Sequence, residues 1–390
     1  MDNIVGFEMP MGSFLKHHCR EAEGVPTTLR GILLLPEPIV SPEFKGELMT
    51  KNFLLALSVF LVCPCWTVPV AFGEKDSDSK LKVVVTGLPE ARIKELEQAV
   101  PGVEFVAASG KDLLEKVAQA DAVVGGCSPE VVRTAKRLRW IQIMSVGVEK
   151  RLFPELIESD ITLTNMKIVN GPDIADHAMA LLLSLTRNLT VAISTEGWSN
   201  RGRYRPIVLD GKTALIIGLG GIGTQVAERA AAFGMRILAV DPRDVPLSRA
   251  VEQVRKPHRL RDFLPLADVV FVCAPHTPKT EGLLGPSEFA LMKKGSYLIN
   301  VSRGKVVQTD ALVQALEAGQ LAGAGLDVVN PEPLPNDHPL WKFDNVVITP
   351  HIAYRSDRAD QRKFELLKEN LILFSKGHPL HNVVDKHAGY

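Results

Sequence analysis

From residue 81 onward, short apolar runs rich in valine and isoleucine alternate with helical segments, an order that few folds can satisfy. "LKVVVTGLP" is followed by "EARIKELEQAV", "VEFVAA", "DLLEKVAQA", "DAVVGG", "WIQIMSVGV" and "ITLTN". Short, largely apolar runs thus alternate with helical segments. That points to parallel sheets with helices on both sides. After the polar link "SNRGRYRP" a second series begins with "TALIIGLG" and continues "MRILAVD", "ADVVFVCAP", "GSYLINVS", "AGAGLDVV" and "NVVITPH". Six such strands predict a second doubly wound sheet. Between the two series, "GPDIADHAMALLLSLTRNLT" reads as a helix with Pro172 in its first turn and Asp173 behind it. Its apolar residues run almost all the way round, which predicts burial between two bodies. The last helix, "DRADQRKFELLKENLILFSKG", comes too late for the second sheet and is expected to return to the first domain. The expected division is 80–180 with 353–390 for one domain, and 181–352 for the other.

Composition narrows the function classes. Lys plus Arg and Asp plus Glu are each 45, a net charge of zero, which gives no electrostatic footprint for nucleic acid. The five cysteines are too few and too scattered for a disulfide framework, and no Cys/His cluster suggests a metal. Cys127 and Cys273 follow apolar runs and read as buried strand-end thiols.

Residues 1–79 read as a poorly ordered leader. Within it Lys51 precedes an uncharged stretch at 52–73 with an apolar core at 53–62, and Ala71, Phe72 and Gly73 resemble a cleavage site. This is signal-like if translation starts at Met49, or anchor-like if 53–72 is retained against a membrane. The segment leaves location open between export and the cytoplasm.

Gly218, Gly220 and Gly223 fit G-x-G-x-x-G, a weak pattern alone. Here a buried strand precedes it and a helix, "TQVAERAAAF", follows, which is the setting of a dinucleotide-binding turn. The helix N-terminus would face a pyrophosphate. The next strand ends at Asp241, 18 residues after Gly223. A carboxylate there would bind ribose hydroxyls and repel a 2′-phosphate, favouring NAD over NADP, although Arg243 could receive that phosphate. Three polar residues also follow later strands: Arg303 in "INVSRGKVV", Glu332 in "GLDVVNPEPLP" and His351 in "ITPHIA". In an open α/β sheet such strand ends face the ligand crevice. Arginine offers a fork to a carboxylate, histidine exchanges protons near neutral pH, and a carboxylate on the second ring nitrogen orients the histidine. Taken singly, each also has a structural reading, as helix-end contact, turn residue or strand-end histidine.

In their order, "GLGGIG", "VDPR", "HTPKTEGLLG", "LINVSRGKVV", "GAGLDVVNPEPLP" and "TPHIA" resemble the D-isomer-specific 2-hydroxyacid dehydrogenases, from about residue 81 to 382. That family includes glyoxylate/hydroxypyruvate reductases and phosphoglycerate dehydrogenase. The resemblance implies a Rossmann NAD-binding domain inserted in a flavodoxin-like substrate domain, and a homodimer. It implies catalytic roles for Arg303 (carboxylate clamp), His351 (acid/base) and Glu332 (its partner). Cofactor contacts are implied at Gly218, Gly220, Gly221, Ile222, Gly223, Asp241, Pro275, Thr280, Val301, Arg303, Asp327 and His351. Substrate contacts are implied at Val146 and Gly147 in "SVGVE", together with Arg303. His276 is expected to be a neighbour of the site rather than its acid. Tyr354 and the segment "GVEKRLFPE" depart from the family pattern, so the substrate is left open among small 2-oxo and 2-hydroxy acids. The alternatives are a short-form phosphoglycerate dehydrogenase, a formate or phosphite enzyme on this scaffold, and a non-catalytic NAD-responsive interaction protein.

Overall fold

Five strands form the first sheet: β1 (Leu81–Thr86), β2 (Val103–Ala108), β3 (Ala122–Val124), β4 (Trp140–Gln142) and β5 (Thr162–Thr164). They lie in the order β2-β1-β3-β4-β5, all parallel, which is the flavodoxin-like order. Val83, Val84 and Val85 of β1 are at most 2% exposed, as a central strand covered on both faces requires. The structure, a computed structural model, describes residues 80–193, 205–245 and 248–390, all within one compact unit. The leader and its signal-like segment lie outside the described residues. Among the described residues no helix is long and apolar enough to cross a membrane.

The second sheet has seven parallel strands: β6 (Thr213–Ile217), β7 (Arg236–Val240), β8 (Gln253–Arg255), β9 (Val269–Val272), β10 (Ser296–Asn300), β11 (Leu321–Leu326) and β12 (Val346–Ile348). Their order is β12-β11-β10-β9-β6-β7-β8, so the chain reverses direction at β6/β9, the switch point where ligands bind in doubly wound sheets. Sequence reading finds six of these strands. The seventh, β8, is only "QVR", half-buried at the sheet edge, and carries no apolar run to betray it.

The Gly171–Thr186 helix departs from expectation. Ile174, Ala178, Met179, Leu182 and Leu185 join the core of the seven-stranded sheet, with Ile216, Ile237 and Phe271. Gly171 and Gly325 let it approach closely: a Cβ on Gly171 would lie 3.0 Å from Gly221 O, and one on Gly325 would lie 2.8 Å from Leu181 Cβ. The helix is therefore part of the second lobe, and the boundary expected at 180/181 cuts through it. An all-round apolar helix carries no polar face to say which sheet it joins. Removing a fully buried leucine here, as in Leu182→Ala, would cost about 2–5 kcal/mol of stability. Chemical denaturation of the variant against wild type measures that loss.

The Ala359–Ser375 helix packs on the first sheet. Phe364, Leu367 and Leu371 share a core with Leu81, Val83, Val85 and Trp140. Buried Asn370 ties it down further, donating to Gln142 Oε1 (3.0 Å) and accepting from His381 N–H (2.7 Å). An Arg362–Asp173 ion pair joins this helix to the Gly171–Thr186 helix. The chain thus leaves the first sheet, builds the second and comes back.

Candidate active site

The glycine turn follows β6 directly. Gly218 has φ +92°, a conformation glycine adopts freely, and a Cβ there would meet Ala274 Cα at 2.7 Å. Gly223 packs so tightly that a Cβ would lie 2.0 Å from Gly218 O. Gly220 caps the Gly221–Ala232 helix, and the nearest atom to a Cβ there is Arg243 Nη2 at 3.5 Å. That open face over a helix N-terminus is a fitting cradle for the pyrophosphate of a dinucleotide. Ile222 packs partly against the core of this lobe, and Gly221 backs onto Ile168.

Asp241, at the end of β7, does more than expected. It is 3% exposed; Oδ2 accepts from Leu219 N–H (2.9 Å), while Oδ1 accepts from Arg243 N–H (2.9 Å) and Nε (3.3 Å). The same carboxylate that would meet a ribose therefore also pins the glycine turn. Beside it opens a cavity of about 500 Å³ lined by Asp241, Arg243, Val245, Val254, Arg255 and Lys256, among others. Of its cations, Arg243 pairs with Asp241, Lys256 with Asp244, and Arg255 and Arg259 share Asp262.

The loop after β9 carries Pro275, His276 and Thr280. Thr280 Oγ1 donates to Pro275 O (2.6 Å) and accepts from Thr277 N–H (2.8 Å), closing the loop on itself. His276 Nε2 lies 3.2 Å from Glu281 Oε2. Cys273, at the end of the same strand, is buried, and burial pushes its thiol up to about 12; Cys127, buried in the first lobe, is pushed up to about 11. Neither is placed to act as a nucleophile at neutral pH.

β10, β11 and β12 are adjacent and parallel, so the loops after them emerge side by side at one edge. After β10, Asn300 knits the turn: Oδ1 accepts from Ser302 N–H (3.1 Å) and Nδ2 donates to Arg303 O (3.1 Å). The Val301 side chain is buried in the core of the lobe. Arg303 reaches across to the first lobe, where Nε donates to Glu149 Oε1 (2.6 Å), and Nη1 donates to Ser302 O (2.7 Å).

After β11, Asp327 is 2% exposed and holds the histidine loop. Its carboxylate accepts from Thr349 Oγ1 (2.6 Å), Ile352 N–H (2.9 Å) and Ala353 N–H (3.0 Å), and its carbonyl from His351 N–H (2.9 Å). His177 completes this anchor, with Nε2 2.9 Å from Thr349 Oγ1 and 3.5 Å from Asp327 Oδ1. His351 itself sits at φ +53°, in the left-handed region that a histidine seldom occupies. Its Nδ1 is 2.7 Å from Glu332 Oε1. The Tyr354 ring stands edge-on to His351 at 6.3 Å and packs against the core of its lobe.

Val146 and Gly147 lie in the loop after β4. Asn165 Nδ2 donates to Val146 O (2.7 Å) and Ser145 Oγ to Gly147 O (3.0 Å). A Cβ on Gly147 would lie 2.0 Å from Arg303 Nη2, so the two lobes meet here. The arrangement thus brings Arg303 to the Val146–Gly147 loop and Glu332 to His351. It adds Glu149, His177, Thr349 and Asn300, which sequence reading passes over. Two of them leave a trace: a charge two residues after Gly147, and a histidine interrupting an apolar helix.

The family described as D-isomer specific 2-hydroxyacid dehydrogenase, NAD binding domain, matches residues 179–353. A glyoxylate reductase from Pyrococcus horikoshii is 39% identical over 321 residues, covering 76% of this chain and 94% of that protein. A D-3-phosphoglycerate dehydrogenase from Archaeoglobus fulgidus is 37% identical over 286 residues, 71% of this chain but 54% of that protein. This chain therefore spans little more than half the length of that relative, and 59% of the corresponding Methanocaldococcus jannaschii enzyme. Among solved structures, a Thermus thermophilus protein is 34% identical, with TM-score 0.64, covering 78% of this chain and all of that one. A D-isomer specific 2-hydroxyacid dehydrogenase from Xanthobacter autotrophicus, solved with NADPH and MES, is 25% identical with TM-score 0.68, over 80% of this chain and all of that one. With its parallel sheets, glycine turn and Arg303, Glu332 and His351 loops, the chain belongs to the D-isomer-specific 2-hydroxyacid dehydrogenase family.

Proposed function

We propose that this protein is an NAD-dependent oxidoreductase that reduces small 2-oxo acids, of the size of glyoxylate or hydroxypyruvate, to D-2-hydroxy acids. The observation that carries the reading is the 2.7 Å contact between His351 Nδ1 and Glu332 Oε1, on a strand edge shared with Arg303. With Nδ1 held by a carboxylate, Nε2 is the ring atom left to give a proton to a carbonyl oxygen or take one from a hydroxyl. Arg303 binds the substrate carboxylate and, with the Val146–Gly147 backbone, sets its orientation. Asp327, Thr349 and His177 keep the histidine loop in its unusual backbone conformation, so the proton is held where the carbonyl arrives. A nicotinamide cofactor, when bound, would supply or accept the hydride. The chain's own part in holding that cofactor is the Gly218–Gly223 turn, the helix N-terminus behind it and Asp241 beside the adenosine cavity.

The test is direct: purified full-length protein, glyoxylate and hydroxypyruvate, and reduced nicotinamide followed by absorbance. Absence of turnover on every 2-oxo acid with either NADH or NADPH would overturn the proposal. Two variants refine it. Glu332→Gln preserves shape but removes the charge against Nδ1, and kcat is expected to fall about 10- to 100-fold, less than the roughly 100- to 10,000-fold a positioned acid itself contributes, because the histidine remains. Undiminished kcat would break the pair.

Asp241→Asn addresses the cofactor. Asp241 repels a 2′-phosphate and Arg243, the cation nearest the glycine turn, is engaged by it, so wild type is expected to prefer NADH. The variant should lower the NADH/NADPH ratio of kcat/KM by about tenfold, equivalent to about 1.4 kcal/mol. A wild type that already prefers NADPH would assign the pocket to Arg243 instead.

A further inference from the structure

The guanidinium that should receive a substrate carboxylate already faces one. Glu149 Oε1 accepts from Arg303 Nε at 2.6 Å, across 154 residues of sequence and from the opposite lobe. Gly147 makes room for this: a Cβ there would lie 2.0 Å from Arg303 Nη2 and 2.6 Å from Glu149 Oε2. Both partners are partly covered, the Arg303 and Glu149 side chains being 30% and 32% exposed. Burial pushes the Glu149 carboxyl up, but the hydrogen bond and charge of Arg303, aided by His276, hold it below the usual carboxylate range. Glu149 therefore carries its negative charge at neutral pH, where a 2-oxo acid is ionised as well. Glu281, on His276, and Glu332, on His351, add two further carboxylates among the groups of this cleft.

We infer that Glu149 is a specificity-determining residue that sorts 2-oxo acids by charge, admitting those with a single carboxylate and rejecting those with a second anionic group, phosphate esters above all. The inference rests on the 2-oxo acid reductase reading and narrows its substrate class. A substrate carboxylate must either share the Arg303 fork with Glu149 or displace it, and in both cases it lies beside a fixed negative charge. One arginine offsets one carboxylate. A monoanionic substrate leaves a single excess charge, which a hydrated cleft and nearby histidines tolerate. A phosphate ester brings a further charge of about −1.5 to −2 beside that excess, and like charges repel. The relatives include enzymes named for an unphosphorylated acid, glyoxylate, and for a phosphorylated one, D-3-phosphoglycerate.

The experiment compares kcat/KM for hydroxypyruvate and for its 3-phosphate ester, with NADH, in wild type, Glu149→Gln and Glu149→Ala. Wild type is expected to prefer hydroxypyruvate by at least about 100-fold. Glutamine keeps an oxygen for Arg303 Nε and loses only the charge, so the ester-to-hydroxypyruvate ratio should rise at least about tenfold, mainly through KM of the ester. Alanine should raise the ratio in the same direction. Equal use of the two acids by wild type, or a ratio unchanged in both variants, would overturn the role of Glu149 while leaving the reductase reading intact. Failure of wild type to reduce any 2-oxo acid would overturn both.

Discussion

His351→Asn is expected to lower kcat for 2-oxo acid reduction by about 100- to 10,000-fold, the span that a positioned general acid contributes. Asparagine is the informative replacement because residue 351 sits at φ +53°, where asparagine is tolerated and alanine is strained. The loop should therefore stay anchored by Asp327, whose bonds go to Thr349 Oγ1 and to the backbone of residues 351–353. NADH binding, read by fluorescence, should persist, since the glycine turn and Asp241 belong to other loops. His351→Ala should lose at least as much activity and some stability as well. An asparagine variant with kcat within tenfold of wild type would remove His351 from the chemistry.

Much of this site is legible in the sequence because each functional group closes a strand. Arg303, Glu332 and His351 follow apolar runs, and a parallel sheet sends every such run to one edge. The glycine turn is legible for a similar reason: strand, glycines and helix are contiguous in sequence, and the steric limits at Gly218 and Gly223 are local.

What escapes sequence reading is non-local or unpatterned. The Glu149–Arg303 contact joins residues 154 apart and depends on how two lobes meet, about which no periodicity speaks. His177 reads as a polar interruption of an apolar helix. Its purpose shows only when the helix is laid on β11 and β12 and its ring meets Thr349. Asp241 is legible as a strand-end carboxylate, but its hold on Leu219 N–H is not, because that bond crosses from β7 to the turn after β6. β8 is three residues long with one apolar side chain, too little for a pattern. The helix of 171–186 reads as buried, yet its uniform apolarity conceals which sheet it covers.

Arg303→Lys is expected to lower kcat/KM for glyoxylate and hydroxypyruvate by about 100-fold, the cost of a small misplacement in a reacting complex. Lysine keeps the charge but presents it as a point at the end of a flexible stem. It cannot donate to Ser302 O and Glu149 at once while also presenting N–H groups to a substrate carboxylate. The side chain is partly solvated, at 30% exposure, and its ion pair with Glu149 is of the kind that adds about 0–1 kcal/mol to stability. Thermal unfolding should therefore move by no more than a few degrees while turnover collapses. That separation is what distinguishes a clamp from a strut between lobes. If Arg303 served only to hold the lobes together through Glu149, lysine would restore most of the function by reaching the same carboxylate. Near-wild-type kcat/KM in Arg303→Lys, with melting unchanged, would favour the strut and leave the substrate carboxylate without its assigned partner.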